Sequence, residues 1–104
     1  MALSTTLLNV PNQNFSAVLE EDSYVINVNT YFGLTYVSIE RNGEVVISNQ
    51  KAYINSDIIP YPYLVEGFGN FRFFSNLEDY PNYEEFGVNV FFLYLTKEEV
   101  AAGV

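Results

Sequence analysis

Along most of the chain, apolar and polar residues alternate with a period of two, as strands with one covered face require. Phe15, Ala17 and Leu19 alternate over residues 14–19, and the polar turn Glu20-Glu21-Asp22-Ser23 follows. Tyr24, Ile26 and Val28 then alternate against Val25, Asn27 and Asn29, and Tyr31-Phe32-Gly33 reads as the next connection. Asn42-Gly43 predicts a two-residue hairpin loop, because both residue types tolerate the positive φ of a type I′ turn. That loop implies a register: Arg41 opposite Glu44, Ile39 opposite Val46 and Val37 opposite Ser48 on one face. On the other face Glu40 meets Val45, Ser38 meets Ile47 and Tyr36 meets Asn49. Phe71–Ser75 and Val88–Leu95 read as two more strands. In the second, Val88, Val90, Phe92 and Tyr94 fill one face while Phe91, Leu93 and Leu95 dominate the other. A strand apolar on both faces is central, or meets another subunit.

The remaining segments lack that rhythm. Leu3 to Leu8 reads as a first strand or an arm, ended by Val10-Pro11-Asn12. Residues 55–70 have no periodicity, and Pro60 and Pro62 forbid a central strand there. Residues 76–85 form an acidic loop around Pro81, in which Asn82 and Glu85 are spaced to cap one helical turn ended by Gly87. Thr96 and Glu99 match a capping box that opens a short tail helix ended by Gly103. The expected fold is all-β: a small antiparallel barrel or sandwich of about six to seven strands, with one or two short helical turns. It is expected to be one domain over residues 1–104, with 1–10 as an arm or edge strand and 96–104 as a short tail.

Composition narrows the chemistry. The 104 residues contain no His and no Cys. That excludes imidazole and thiolate nucleophiles, structural zinc, disulfides and thiol redox chemistry. Net charge is −9, with −3 in residues 1–52 and −6 in residues 53–104. The basic residues Arg41, Lys51, Arg72 and Lys97 are scattered, so no basic stripe exists to bind a nucleic-acid backbone. An anionic membrane surface would repel the chain for the same reason. No signal peptide or apolar stretch of membrane-spanning length is visible, which makes a cytoplasm the default compartment and Asn14-Phe15-Ser16 a chance glycosylation triplet.

Carboxylates are the remaining acid–base resource. Glu20-Glu21-Asp22 lies in a turn, where acids are usually solvated. Glu78, Asp79, Glu84 and Glu85 form a denser cluster, without calcium-loop spacing and more in keeping with an acidic surface loop than with a glycosidase pair. Gly67-Phe68-Gly69 lacks the later residues of a phosphate loop and reads as a flexible turn. No cofactor or metal site is expected. Phe15, Tyr24, Tyr36, Phe73, Phe92 and Tyr94 alternate within strands and are expected in the core. Tyr61, Tyr63, Tyr80 and Tyr83 instead lie in Pro-containing loops, where Tyr serves equally to cover a core end or to form an interface. With the two-sided strand and the Ile-rich loop, the candidate protein interface is Ile58, Ile59, Tyr61, Tyr63, Tyr80, Tyr83, Phe91 and Leu93.

Two terminal stretches resemble a known family. Leu7-Leu8-Asn9-Val10-Pro11-Asn12-Gln13-Asn14-Phe15 is similar to its opening, an apolar run followed by Pro-Asn-Gln-x-Phe and a strand. Phe86-Gly87-Val88-Asn89-Val90-Phe91-Phe92-Leu93-Tyr94-Leu95 is similar to its closing strand. The family is the baseplate plug proteins of contractile-tailed phages, first recognised in a cyanophage, and the resemblance covers about residues 5–96. Tyr36 stands where the family usually has Trp, and Ile58 to Tyr63 replaces a Leu-rich middle segment. The resemblance implies a non-enzymatic structural protein of the virion tail baseplate, made in the host cytoplasm and not secreted. Its implied partners are tail-tube, hub and tape-measure proteins and copies of itself in a three- or six-fold ring. The acidic balance would discourage DNA from sticking in a conduit. Two other classes remain open: an acidic binding protein that mimics DNA or inhibits a host enzyme, and, more weakly, a carboxylate hydrolase built on Glu78, Asp79, Glu84 and Glu85.

Overall fold

A computed structural model of the chain describes residues 3–5, 7, 10–75, 81, 83–86 and 89–103. Its strands are β1 (Leu3–Thr5), β2 (Asn12–Leu19), β3 (Asp22–Tyr31), β4 (Leu34–Arg41), β5 (Glu44–Lys51), β6 (Asn70–Phe74) and β7 (Phe91–Leu95). Two short helices, α1 (Pro62–Val65) and α2 (Lys97–Ala101), and a 3₁₀ turn at Tyr83–Glu85 complete it. The strands form two antiparallel sheets, one ordered β2-β3-β4-β5 and the other β1-β7-β6, and no closed barrel forms among the described strands. β1 pairs with β7 of its own chain, Leu3 opposite Tyr94.

The four-stranded sheet is a meander joined by two-residue turns. Leu19 pairs with Asp22, Tyr31 with Leu34, and Arg41 with Glu44. Both central residues have positive φ in each turn: Glu20 and Glu21, Phe32 and Gly33, Asn42 and Gly43. Positive φ at both positions matches the right-handed twist of the flanking strands. Asn42 suits this role twice over. Its Oδ1 accepts from the Ser23 amide at 2.9 Å, and its Nδ2 donates to Asp22 Oδ1 at 3.1 Å.

Beyond the Asn42-Gly43 turn the expected register holds for two pairs and then slips. Ile39 pairs with Ile47 rather than Val46, and Val37 with Gln50 rather than Ser48. The cause is burial. Val37 and Ile39 face the core, and an unbroken ladder would have turned Ile47 outward opposite Ser38. A shift of one residue brings Ile47 inside. The second shift lies beside Asn49, which has positive φ and whose amide donates to Ser38 Oγ at 2.9 Å. Tyr36 is likewise displaced from its expected place in the core. The inward positions of β4 are Thr35, Val37 and Ile39, so Tyr36 lies on the outer face with its ring 5.7 Å from that of Tyr31.

The core is aromatic and is supplied by both sheets. Tyr24 of β3 meets Phe71 of β6 edge-on at 5.2 Å, and Phe15 of β2 meets Phe92 of β7 edge-on at 6.3 Å. Phe71 stacks on Phe92 at 5.2 Å, and Phe73 stacks on Phe86 at 5.6 Å. Such offset and edge-on pairs each add about 0.5–1.5 kcal/mol beyond area burial. Tyr24, Phe73, Phe92 and Tyr94 are buried as alternation predicts, and Phe15 is half-buried against them. The strand expected at Val88–Leu95 begins at Phe91, while Val90 forms an isolated bridge with Phe86 and Val88 lies outside the described residues.

Gly69 shows why the 67–69 segment is not a loose turn. It lies against the buried Tyr94 side chain, and a Cβ added there would overlap the hydroxyl and the ring. Gly67 instead needs its conformational freedom for φ +77°, with open space around it. Phe68 lies beneath the Arg41 guanidinium, 3.6 Å from its ring centroid. Gly69→Ala should therefore cost about 2–3 kcal/mol through overpacking, and Gly67→Ala about 1 kcal/mol through backbone strain. Urea denaturation of the two variants checks this order, which φ alone would reverse.

Candidate functional site

One end of the molecule carries a groove of about 620 Å³, formed where the 57–67 segment, the ends of β6 and β7, and α2 meet. Ile59, Pro60, Tyr63, Val65, Leu95 and Val100 supply its apolar wall. The segment is held by Asn70, a buried side chain acting as a substitute strand partner. Asn70 Oδ1 accepts from the Ile59 amide at 3.1 Å, and Nδ2 donates to the Ile59 carbonyl at 2.9 Å. The Ile58 amide donates to the Phe71 carbonyl at 2.8 Å. Pro62 then starts α1, where its missing N–H is not needed.

The other wall is α2, which the expected capping box opens. Thr96 N–H donates to Glu99 Oε1 at 3.0 Å, and Glu99 N–H donates back to Thr96 Oγ1 at 3.3 Å. The Thr96 amide holds the Glu99 carboxyl below its usual range. Gly103 ends the helix with positive φ, as the sequence predicts. Glu20 ties this helix to the four-stranded sheet. Its Oε1 accepts from Tyr94 OH at 2.7 Å and from the Lys97 amide at 2.8 Å. Lys97 Nζ stands 3.3 Å from Asp22 Oδ2. Glu20 and Asp22 are thus structural anchors, not merely the solvated turn acids that the sequence predicts.

The candidate interface residues separate into distinct places. Ile58 and Ile59 are core residues, 1% and 2% exposed, so the single chain does not display them on its surface. They pack in the hydrophobic core, with the segment held in place by Asn70 at Ile59 and by the Phe71 carbonyl at Ile58. Tyr61 and Tyr63 are 49% and 74% exposed, with ring centroids 5.9 Å apart, beside and in the groove. Tyr83 packs half-buried against the core, while Phe91 and Leu93 lie partly exposed on the outer face of the three-stranded sheet. Tyr80, Glu78 and Asp79 lie outside the described residues, as do Asn82 and Gly87 of the expected cap. Val65, Glu66, Leu95, Lys97 and Val100 belong to the groove, and sequence reading did not single them out. The capping box that places α2 was the available signal for Val100.

The groove offers contact more than chemistry. Two of its three ionic side chains are engaged, Asp57 by Arg72 at 2.6 Å and Lys97 by Asp22, and the third is Glu66. No group of three potential metal ligands occurs among the described residues. Of the two described acids in the 78–85 cluster, Glu85 accepts from Asn89 Nδ2 at 3.0 Å. No helix among the described residues is long and apolar enough to cross a membrane.

Burial raises the Tyr94 hydroxyl far above the ordinary tyrosine value, and its hydrogen bond to Glu20 raises it further. Burial and the nearby Asp22 charge raise Tyr24 as well. A folded-state value above the unfolded one means that folding holds a proton which the unfolded chain releases. Stability is then full below pH 10 and falls as pH rises beyond it, by up to about 1.4 kcal/mol per pH unit for each such tyrosine. Tyr94→Phe should flatten this alkaline slope, which urea midpoints between pH 8 and about 11.5 measure.

No individually curated protein matches the chain in sequence. A family model described as the cyanophage baseplate Pam3 plug gp18 matches residues 3–98, which includes both sheets, the 57–67 wall of the groove and the Pro-Asn-Gln-x-Phe opening. With nearly its whole length matched, the chain belongs to the cyanophage baseplate Pam3 plug gp18 family.

Proposed function

We propose that this chain is a structural subunit of a contractile phage tail, positioned as a baseplate plug near the junction of tail tube and hub. The observation that carries the reading is the family match over residues 3–98. The surface supports it. Phe32, Tyr61, Tyr63, Val18 and Val45 are exposed on a small domain with a 620 Å³ apolar groove, a distribution suited to contacts completed by neighbours. In this reading the two facing sheets are an open sandwich, and the protein acts by contact rather than catalysis. Its neighbours are tail-tube, hub and tape-measure proteins and further copies of itself, arranged around the tail axis in three- or six-fold symmetry.

Labelling the chain in purified particles should place it at the baseplate end of the tail. A chain absent from particles, or spread along the tube, would remove the reading. Tyr61→Ala with Tyr63→Ala should leave the unfolding midpoint within about 1 kcal/mol of wild type, because both rings are exposed. Incorporation into particles, measured by quantitative mass spectrometry, should fall at least about tenfold, the loss that ~1.4 kcal/mol of contact energy implies.

A further inference from the structure

The turn between β3 and β4 carries Phe32 at its first central position, 105% exposed and at φ +51°. Both properties are unfavourable in the isolated chain. A bulky side chain in the left-handed region is an outlier that marks strain, and a fully solvated Phe forgoes about 1.5–3 kcal/mol of burial. The neighbouring outer-face rings Tyr31 and Tyr36 pack together and brace the tip.

The groove lies at the opposite end of the same sheet. Its helix α2 is fastened to Glu20 and Asp22, at the start of β3, and Phe32 follows the end of β3. Ten residues of strand separate the two by about 30 Å, close to the longest dimension of the molecule, 33 Å. A protruding apolar knob and an apolar groove therefore occupy opposite poles and cannot meet within one chain.

Each pole also offers one charge of opposite sign, Lys51 near the knob and Glu66 in the groove. Residues 23–39 carry no ionisable Asp, Glu, Lys or Arg, although the chain as a whole has net charge −9. The cation beside this hairpin is Lys51, opposite Tyr36 in the register, which contacts the Tyr53 ring at 5.2 Å and has no carboxylate partner among the described residues. At the other pole, Glu66 lines the groove and forms no ion pair among the described residues, the groove's Lys97 being engaged by Asp22, and Glu21 and Glu98 are exposed near the α2 end.

We propose that Phe32 of one copy seats in the Ile59–Val65–Leu95–Val100 groove of a second copy, with Lys51 of the first approaching Glu66 of the second. The contact is head-to-tail, so it propagates from copy to copy and closes a ring where the rotation per subunit allows. The proposal rests on the reading of the chain as an assembling structural subunit and names the interface by which its copies meet.

The chain has no cysteine, which makes the test direct. Tyr31→Cys beside the knob and Ala101→Cys in the groove wall place two thiols at opposite poles, too far apart for a crosslinker of about 10 Å to join them within one chain. Treating the purified double variant with a bis-maleimide of that length should give a ladder of covalent multimers, and either single variant should give none. Phe32→Ala in the double-cysteine chain should reduce the ladder at least tenfold. Lys51→Glu should weaken it, and adding Glu66→Lys should restore it. The same reaction on assembled particles reads the contact where neighbours are already in place. No ladder in either setting, dimers from a single-cysteine chain, or a ladder unaffected by Phe32→Ala would each overturn the proposal. A chain found in particles without a ladder would overturn this interface alone and leave the baseplate reading standing.

Discussion

The arrangement of this protein depends on one buried side chain, Tyr94. Its ring touches Tyr24 of the opposite sheet and Phe71 of its own, and lies against Gly69, where no larger residue fits. Its hydroxyl reaches across to Glu20, and the same carboxylate oxygen takes the first amide of α2. A hydrogen bond to an ionised partner contributes about 1.5–3 kcal/mol, more than a neutral one. Glu20 makes it from the positive-φ turn between β2 and β3, a conformation that Glu residues rarely adopt. Sheet, sheet and helix are thus joined at one carboxylate.

This junction also determines what the surface can do. The groove exists because α2 is pinned on one side and the 57–67 segment on the other, the first by Glu20 and Asp22, the second by Asn70. Polar atoms used there are used structurally, which leaves an apolar wall and the single unmatched charge of Glu66 among the ionic side chains that line it. The chain's exposed large apolar side chains lie both on strands, as Val18 and Val45 do, and in the β3–β4 turn and the 57–67 segment, as Phe32, Tyr61 and Tyr63 do.

Much of this was legible in the sequence where a residue type encodes a backbone requirement. Asn42-Gly43 announced its turn, Thr96 and Glu99 their helix, and the alternation from Tyr24 to Val28 its buried face. What escaped was long-range. The slip that turns Ile47 inward answers to the core facing β4, not to local propensity, although Asn49 marks the shifted site. Ile58 and Ile59 resembled an exposed apolar loop because the β6 residues that hold this segment against the core, Asn70 and Phe71, lie more than ten residues on. Tyr36 was expected in the core with the other strand aromatics, and the strand parity of β4 places it outside, whereas Phe32 lies in the connection where the sequence placed it.

The central claim is that Glu20 and Tyr94 act as a unit that locks the two sheets together. A double-mutant cycle of Glu20→Ala and Tyr94→Phe, read by urea denaturation at pH 7, tests it most directly. The account predicts a coupling of about 1–2 kcal/mol, because each variant alone removes the same partly buried bond. Additive losses, agreeing within about 0.5 kcal/mol, would contradict it.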